Sequence, residues 1–426
     1  MAVTLEGRVA GQPARVAGHP VRLIGHRARM AILLCALPMF GESFHLINDI
    51  PPLYALAKVW AFLLLPLAII GYAQLRLPGR DLYVVTLAYV VPIPPLMATL
   101  YYGNTYIEAL ATIVKIMPVT FYFSMSYFLY VLRPTRAELR SAVIILGYTT
   151  FILLAVLWVV VPESAYQSYF GLQTIFAGND DVRGNRIILP MLFGLLLLLF
   201  LARRLQTERR LRDLALLVLF YFLMATIYKE RVPIIFSMLT MGIGFLEFFM
   251  RSRAMALLLA ASVGIAGAAI ATLLSSAETI SGVFGGSLMV RMMSIDMAWN
   301  FMRDHPLQWL FGSGGTTAYA DMTLGRLLRN NAFYLADIGW LGEVFEYGII
   351  GAGLIAAVHI AGVWMTRDRA RHNDAFSMAL ADYAFYLLPA SLVYSLALLP
   401  GEVAMMTALA VYWRRTEKSE QLYRID

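Results

Sequence analysis

Runs of about 20 apolar residues recur along this chain from residue 29 onward, and that recurrence limits the fold more than any other feature. A helix needs about 20 residues to cross a ~30 Å hydrocarbon core. Only helices and closed barrels satisfy their backbone groups there. A barrel would show ten-residue alternation instead of continuous apolar runs. The expected fold class is therefore an all-α polytopic membrane protein. Charge content agrees: 14% of the 426 residues are charged and mean hydropathy is +0.69, where a soluble domain has about a quarter charged.

Spans are expected at about 29–41, 52–75, 81–102, 106–131, 139–161, 187–202, 212–228, 232–250, 254–276, 340–365, 375–397 and 401–413. About 12 spans put both termini on one side, and arginine decides which side. With the N-terminus cytoplasmic, 24 of the 34 Lys and Arg fall in cytoplasmic segments, from Arg8–Arg29 through Arg203–Arg212 to Arg414–Arg424. That is the bias of the positive-inside rule. The expected organisation is a cytoplasmic tail at 1–28, one transmembrane domain at 29–413 and a cytoplasmic tail at 414–426. The outer face then carries two long segments, about 162–186 and 277–339. Residues 1–28 lack a cleavable signal pattern. Cys35 is the lone cysteine, so no disulfide is expected. The net charge of +7 reads as cytoplasmic loops and gives no reason to expect nucleic acid.

Ten cations escape that bias: Lys58, Lys115, Arg183, Arg186, Lys229, Arg231, Arg291, Arg303, Arg326 and Arg329. Cations at the outer face or at membrane depth are costly and tend to be paired or functional. Those in "DVRGNR", "YKERVP" and "LMVRMMSIDMAW" suggest an anionic ligand, because Arg matches phosphate bidentately and Lys supplies a point charge. The competing reading is solvated loop arginines paired with Asp180, Asp181 or Glu230. Lys115 reads either as a buried relay or as a snorkelling side chain.

The segment 277–339 holds most of the polar chemistry. Met292, Ile295, Ala298, Trp299 and Met302 recur at helical spacing after Arg291, the pattern of an amphipathic helix on the membrane face. "FGSGG" reads as a flexible turn where backbone approaches a ligand. His305 has no second histidine or carboxylate at metal spacing, so no metal site is expected, and its place beside Pro306 reads first as a helix end. Asp337 lies where the chain re-enters the membrane, just before Trp340 at the interface. It reads as a general base beside arginines or as a helix N-cap. Glu343 and Glu346 fall inside the span and are expected to face the protein interior.

A cation-bearing turn between spans, a loop opening "R…W…RDHPLQ…FGSG" and "EYGIIG" in the next span resemble the bacterial O-antigen polymerase and O-antigen ligase superfamily. The resemblance covers roughly 180–365. It implies a GT-C-like glycosyltransferase of the bacterial inner membrane, with a large periplasmic loop containing amphipathic helices. The donor would be an oligosaccharide on undecaprenyl pyrophosphate, displaced with inversion and without metal or cofactor. Membrane lipids, a chain-length regulator and a flippase are the implied partners. By position, Arg231 matches the family's arginine in the turn and Arg291 the one opening the loop; Arg183, with Gly194, fits an Arg-ten-Gly spacing. Nine residues before "EYGIIG" the family carries His-Asn, and this chain carries Asp337-Ile338. That departure favours a Wzy-type polymerase over a WaaL-type ligase transferring glycan to lipid A-core. The expected catalytic residues are Asp337, Arg291 and Arg231. Lys229, Arg183, Arg186, His305 and Trp340 are the expected pyrophosphate- or glycan-binding residues. A lipid-linked glycan flippase is the alternative from another class.

Overall fold

The computed structural model describes residues 25–44, 50–166, 176–180, 184–250, 286–317, 320, 322–328, 333, 335–367, 374–395 and 400–422. The span expected at 254–276, and Arg183 and Arg329, lie outside the described residues.

The chain is a helical bundle. In order it forms α1 (His26–Phe40), α2 (Pro51–Leu63), α3 (Leu65–Gln74), α4 (Arg80–Val90), α5 (Ile93–Tyr102), α6 (Tyr106–Leu110), α7 (Phe121–Leu132) and α8 (Arg136–Val160). Then come the strands β1 (Ala177–Asp180) and β2 (Gly184–Ile187), followed by α9 (Leu192–Glu208), α10 (Leu211–Leu223) and α11 (Arg231–Met250). The last helices are α12 (Gly286–Arg303), α13 (Pro306–Phe311), α14 (Leu324–Leu327), α15 (Gly339–Thr366), α16 (Ala375–Ala390) and α17 (Pro400–Leu422). Prolines divide several of the apolar runs. Pro66 follows the α2–α3 break, Pro92, Pro94 and Pro95 the α4–α5 break, and Pro118 a 53° bend between Tyr106–Lys115 and Met117–Leu132. A proline removes one helical hydrogen bond and crowds the preceding turn.

Among the described residues six helical stretches are long and apolar enough to cross a bilayer, seven if the bent pair counts as one span. An all-α membrane protein is thus supported, while the twelve expected spans are not all matched by crossing-length helices. One expected span, 254–276, lies outside the described residues, and others form shorter helices, such as the 17-residue α9. The α9 residues Leu192 to Ala202 are all buried, and a helix apolar all round belongs inside a bundle. It is encircled by α8, α10, α11 and α16 and meets little lipid. The expected short last span is instead a 23-residue helix. The antiparallel hairpin β1–β2, with Ala177 opposite Ile187, departs from an all-helical outer region.

Charged side chains lock the helices at one end of the bundle. Arg203, near the end of α9, donates to Asp382 on α16 at 2.8 Å, to Gln206 at 3.0 Å and to the Gly244 carbonyl on α11 at 3.1 Å. Arg29 on α1 donates to Glu138 at 2.7 Å, and Glu138 also caps the start of α8 through the Thr135 N–H. Glu42 accepts the Gly401 N–H at 2.6 Å, and Tyr383, next to Asp382, donates to Glu402 at 2.8 Å.

Removing one partner of a buried pair strands the other charge, at a cost of about 3–5 kcal/mol. Asp382→Ala is therefore expected to lower the melting temperature in detergent sharply. Arg203→Met combined with Asp382→Leu is expected to recover most of the loss. Equal stability of Asp382→Ala and wild type would refute the lock.

Candidate functional site

The turn "YKERVP" is shaped before it is charged. α10 widens into a π-helical turn over Met224–Tyr228, and Lys229 follows with φ of 56° in the left-handed region. A non-glycine residue there costs about 1–2 kcal/mol, so neighbours must hold it. The Lys229 ammonium donates to the Asn185 carbonyl at 2.8 Å and lies 5.7 Å from the Trp158 ring centre. Glu230 pairs with Arg186 of β2, whose side chain is 1% exposed. The hairpin therefore sits on the turn and fixes it. Arg231 is half-buried at the first residue of α11, with Pro233 in the first turn, where its missing N–H costs little.

The second component comes from α12. Ser294, Ala298 and Met302 are buried on the same helical face as the half-buried Arg291, whereas Met292, Ile295 and Trp299 are exposed. The apolar set expected to share one membrane-facing stripe therefore divides between two faces, and Arg291 turns inward. Its guanidinium approaches Asp337 at 4.0 Å and lies 5.7 Å from the Tyr394 ring centre.

Asp337 ends a 3-10 turn, Leu335–Asp337. Residue 338 precedes α15 without a side-chain cap; Asp337 faces Arg291, which answers against the N-cap reading. The turn is stitched to the segment after α16. The Ser395 N–H donates to the Ala336 carbonyl at 3.0 Å, the Ser395 hydroxyl to Glu343 at 2.6 Å, and the Trp340 indole to Ser391 at 3.0 Å. Burial pushes the Asp337 carboxyl above its ordinary range; Arg291 pulls it back and Glu230 pushes it up again. Burial and the Glu230 charge push the Tyr394 phenol up to about 12, again against Arg291. These shared influences bring the "YKERVP" turn, Arg291, Asp337 and Tyr394 into one electrostatic neighbourhood.

The expected site residues therefore divide. Arg291 and Asp337 converge there, while Lys229 and Arg231 flank Glu230 on the turn, with the Lys229 ammonium on the Asn185 carbonyl. Arg186 is a buried strut rather than a solvent-presented ligand group. Trp340 supports the Asp337 turn through Ser391. His305 is exposed, 6.2 Å from the Tyr101 ring. It sits 14 residues beyond Arg291, roughly 20 Å along a helix, outside the cluster. Tyr394 escapes a sequence reading because it falls in the tail of an apolar run with no motif around it.

The "FGSGG" turn is corrected as well. α15 is broken at Gly348, φ 68° and ψ 174°. The carbonyls freed there are met by the chain itself. The Ser313 N–H donates to Phe345 O at 2.7 Å, the Gly314 N–H to Glu346 O at 3.1 Å and the Tyr89 hydroxyl to Tyr347 O at 3.2 Å. Tyr102 holds the turn by donating to Gly314 O at 3.1 Å. Lys115 pairs with Glu346 at 2.6 Å beside Gly315. The glycines let backbone approach backbone, not a ligand.

No protein-family model matches the chain, and no curated protein sequence matches it. Among the described residues no group of three His, Cys, Asp or Glu is placed to hold a metal ion.

A Cβ on Gly314, at φ 78°, would lie 2.3 Å from the Pro94 carbonyl oxygen, whereas one on Gly353 of α15 would meet open space. Gly314→Ala is expected to destabilise by at least about 1–3 kcal/mol. Gly353→Ala is expected to be neutral or mildly stabilising. Thermal melts of the two variants in the same detergent check this.

Proposed function

We propose that this chain is a membrane glycosyltransferase that polymerises oligosaccharide repeat units carried on a polyprenyl pyrophosphate. The supporting observation is the convergence of Arg291 and Asp337 beside Tyr394, within the field of Glu230 from the "YKERVP" turn. The resemblance to O-antigen polymerases supplies the substrate class, the GT-C-like architecture and the twelve-span topology with both termini cytoplasmic. It also supplies the periplasmic face of the bacterial inner membrane as the place of reaction.

In this reading Arg291 and Arg231 bind the pyrophosphate, whose charge grows as the anomeric carbon–oxygen bond breaks. Preorganised cations stabilise developing charge in a site of low dielectric. Asp337 accepts the proton of the acceptor hydroxyl as the new glycosidic bond forms on the opposite face of the sugar. The lipid pyrophosphate leaves as the anion. Lys229 adds a point charge, and Arg186 holds the turn.

The break in α15 is the one observation that favours a lipid-linked glycan transporter, since discontinuous helices build transporter sites. The freed carbonyls are met within the chain by Ser313, Gly314 and Tyr89, so the break is satisfied without a bound ligand. A ligase needs the histidine that Asp337 replaces.

Purified protein incubated with a pyrophosphate-linked repeat unit is expected to give a ladder of products. Transfer only to lipid A-core would mean a ligase, and translocation in vesicles without products a transporter. Arg231→Ala and Arg291→Ala are each expected to abolish polymer at normal membrane levels, and Asp337→Asn to remove at least about 100-fold of turnover. Wild-type polymer length in either arginine variant would end the pyrophosphate assignment.

pH gives a separate check. A base must be ionised to act, and burial raises the Asp337 carboxyl. The acidic limb of turnover is therefore expected above the ordinary carboxylate range, with activity rising as pH rises through it. Glu230→Gln removes a charge that pushes the carboxyl up, so the limb is expected to move to lower pH. A limb that stays in place would disconnect Glu230 from Asp337.

A further inference from the structure

The inner face of α12 carries two buried hydrogen-bonding atoms that the chain leaves unmet. Ser294 is 1% exposed, and its hydroxyl has no hydrogen-bond partner. The Nε of Arg291 is buried and has none either. The two residues lie three positions apart on that face. Residues so spaced on a helix are neighbours, with Cβ atoms about 5–6 Å apart.

A hydroxyl buried in a helix usually returns to a carbonyl of its own helix. Thr86 donates to Leu82 O at 2.8 Å, Ser237 to Ile234 O at 3.0 Å and Thr407 to Val403 O at 2.7 Å. Polar side chains near the site find partners across the fold, as Ser395 does on Glu343 at 2.6 Å and Trp340 on Ser391 at 3.0 Å. Ser294 does neither. A buried polar group without a partner is costly and calls for an explanation such as a ligand or an ion. Arg291 is incomplete in the same way. Its side chain is 25% exposed, its approach to Asp337 is 4.0 Å and it lies 5.7 Å from the Tyr394 ring centre. An N–H and an O–H one turn apart therefore lack an acceptor. A water would accept from them but leave the guanidinium charge unmatched. An anionic oxygen accepts from both and matches the charge.

We propose that Ser294 and the Arg291 Nε together hold a phosphate oxygen of the polyprenyl pyrophosphate, which seats the anion against the inner face of α12. The inference rests on the pyrophosphate reading of the site and adds to it a ligand-binding residue and a side of approach. The loose contact with Asp337 lets Arg291 turn as the phosphate enters.

Binding of inorganic pyrophosphate and of farnesyl pyrophosphate to the purified full chain in detergent, measured by calorimetry beside thermal melts, tests it. Ser294→Ala removes an unmet hydroxyl, so without ligand its melting temperature is expected to equal or exceed that of wild type. Its affinity for both ligands is expected to fall about tenfold or more, because hydrogen bonds to charged groups are the strong ones. Ser126 on α7 is also buried with an unmet hydroxyl, and Ser126→Ala is expected to leave both affinities unchanged. Wild-type affinity in Ser294→Ala would overturn the inference and leave the pyrophosphate reading standing. Failure of wild type to bind either ligand would overturn both. A lowered melting temperature in Ser294→Ala would reveal a structural partner for the hydroxyl and count against the site, as would an equal loss of affinity in Ser126→Ala. Tighter binding of farnesyl pyrophosphate than of inorganic pyrophosphate would support the lipid-linked source. Equal binding would support a soluble pyrophosphate in the same seat.

Discussion

The break at Gly348 is the constraint on which the architecture around the site depends. Inside a bilayer a helix cannot leave carbonyls unmet, since each costs several kcal/mol. α15 frees three of them at residues 345–347, and the 312–315 turn and Tyr89 return the hydrogen bonds. That repair docks the 312–315 turn against α15 and α5. Once residues 312–315 are held, α13 and α12 are held with them. α12 then buries Ser294, Ala298 and Met302, with Arg291 on the same face. The position of a charged site residue thus follows from a backbone defect several turns away.

The other parts of the site are positioned in the same indirect way. Asp337 owes its place to Ser395 and Trp340, which tie its turn to the end of α16. The left-handed Lys229 is held through Asn185, and Glu230 through Arg186 on the hairpin. Four separate segments therefore meet with no contiguous motif. A strained residue such as Lys229 persists only where its surroundings over-determine it, and here the hairpin supplies that.

Fold class was legible because bilayer thickness imposes one period on any sequence that crosses it. Arg231, Arg291 and Asp337 were legible because charge in an apolar chain is conspicuous. The division of long runs by Pro66, Pro92 and Pro118 was in the sequence but carried no sign of how far each helix would tilt or shorten. The burial of α9 was not legible, because a helix facing protein and one facing lipid are both apolar. The role of "FGSGG" was misread for a similar reason. Glycine permits close approach of backbone to anything, and the partner at Gly348 lies over thirty residues further along the chain. Tyr394 had no signal at all, since its meaning comes from Arg291 across the fold.

Charge balance connects these parts to the proposed chemistry. On or beside the site stand Arg186, Lys229, Arg231 and Arg291, against the carboxylates Glu230 and Asp337. Arg186 and Glu230 pair with one another away from solvent, and that pair adds little net charge to the site. Arg291 and Asp337 approach only to 4.0 Å, longer than a charge-assisted hydrogen bond of about 2.7–2.9 Å. Their attraction is incomplete, so Arg291 can turn to a phosphate without stranding Asp337. A pyrophosphate arriving between Arg231 and Arg291 would add negative charge beside Asp337 and raise its affinity for a proton further. In the proposed reaction the carboxylate would become a stronger base when the donor is bound. The same arginines would then stabilise the charge that leaves with the lipid, so the two halves of the displacement would share one set of cations.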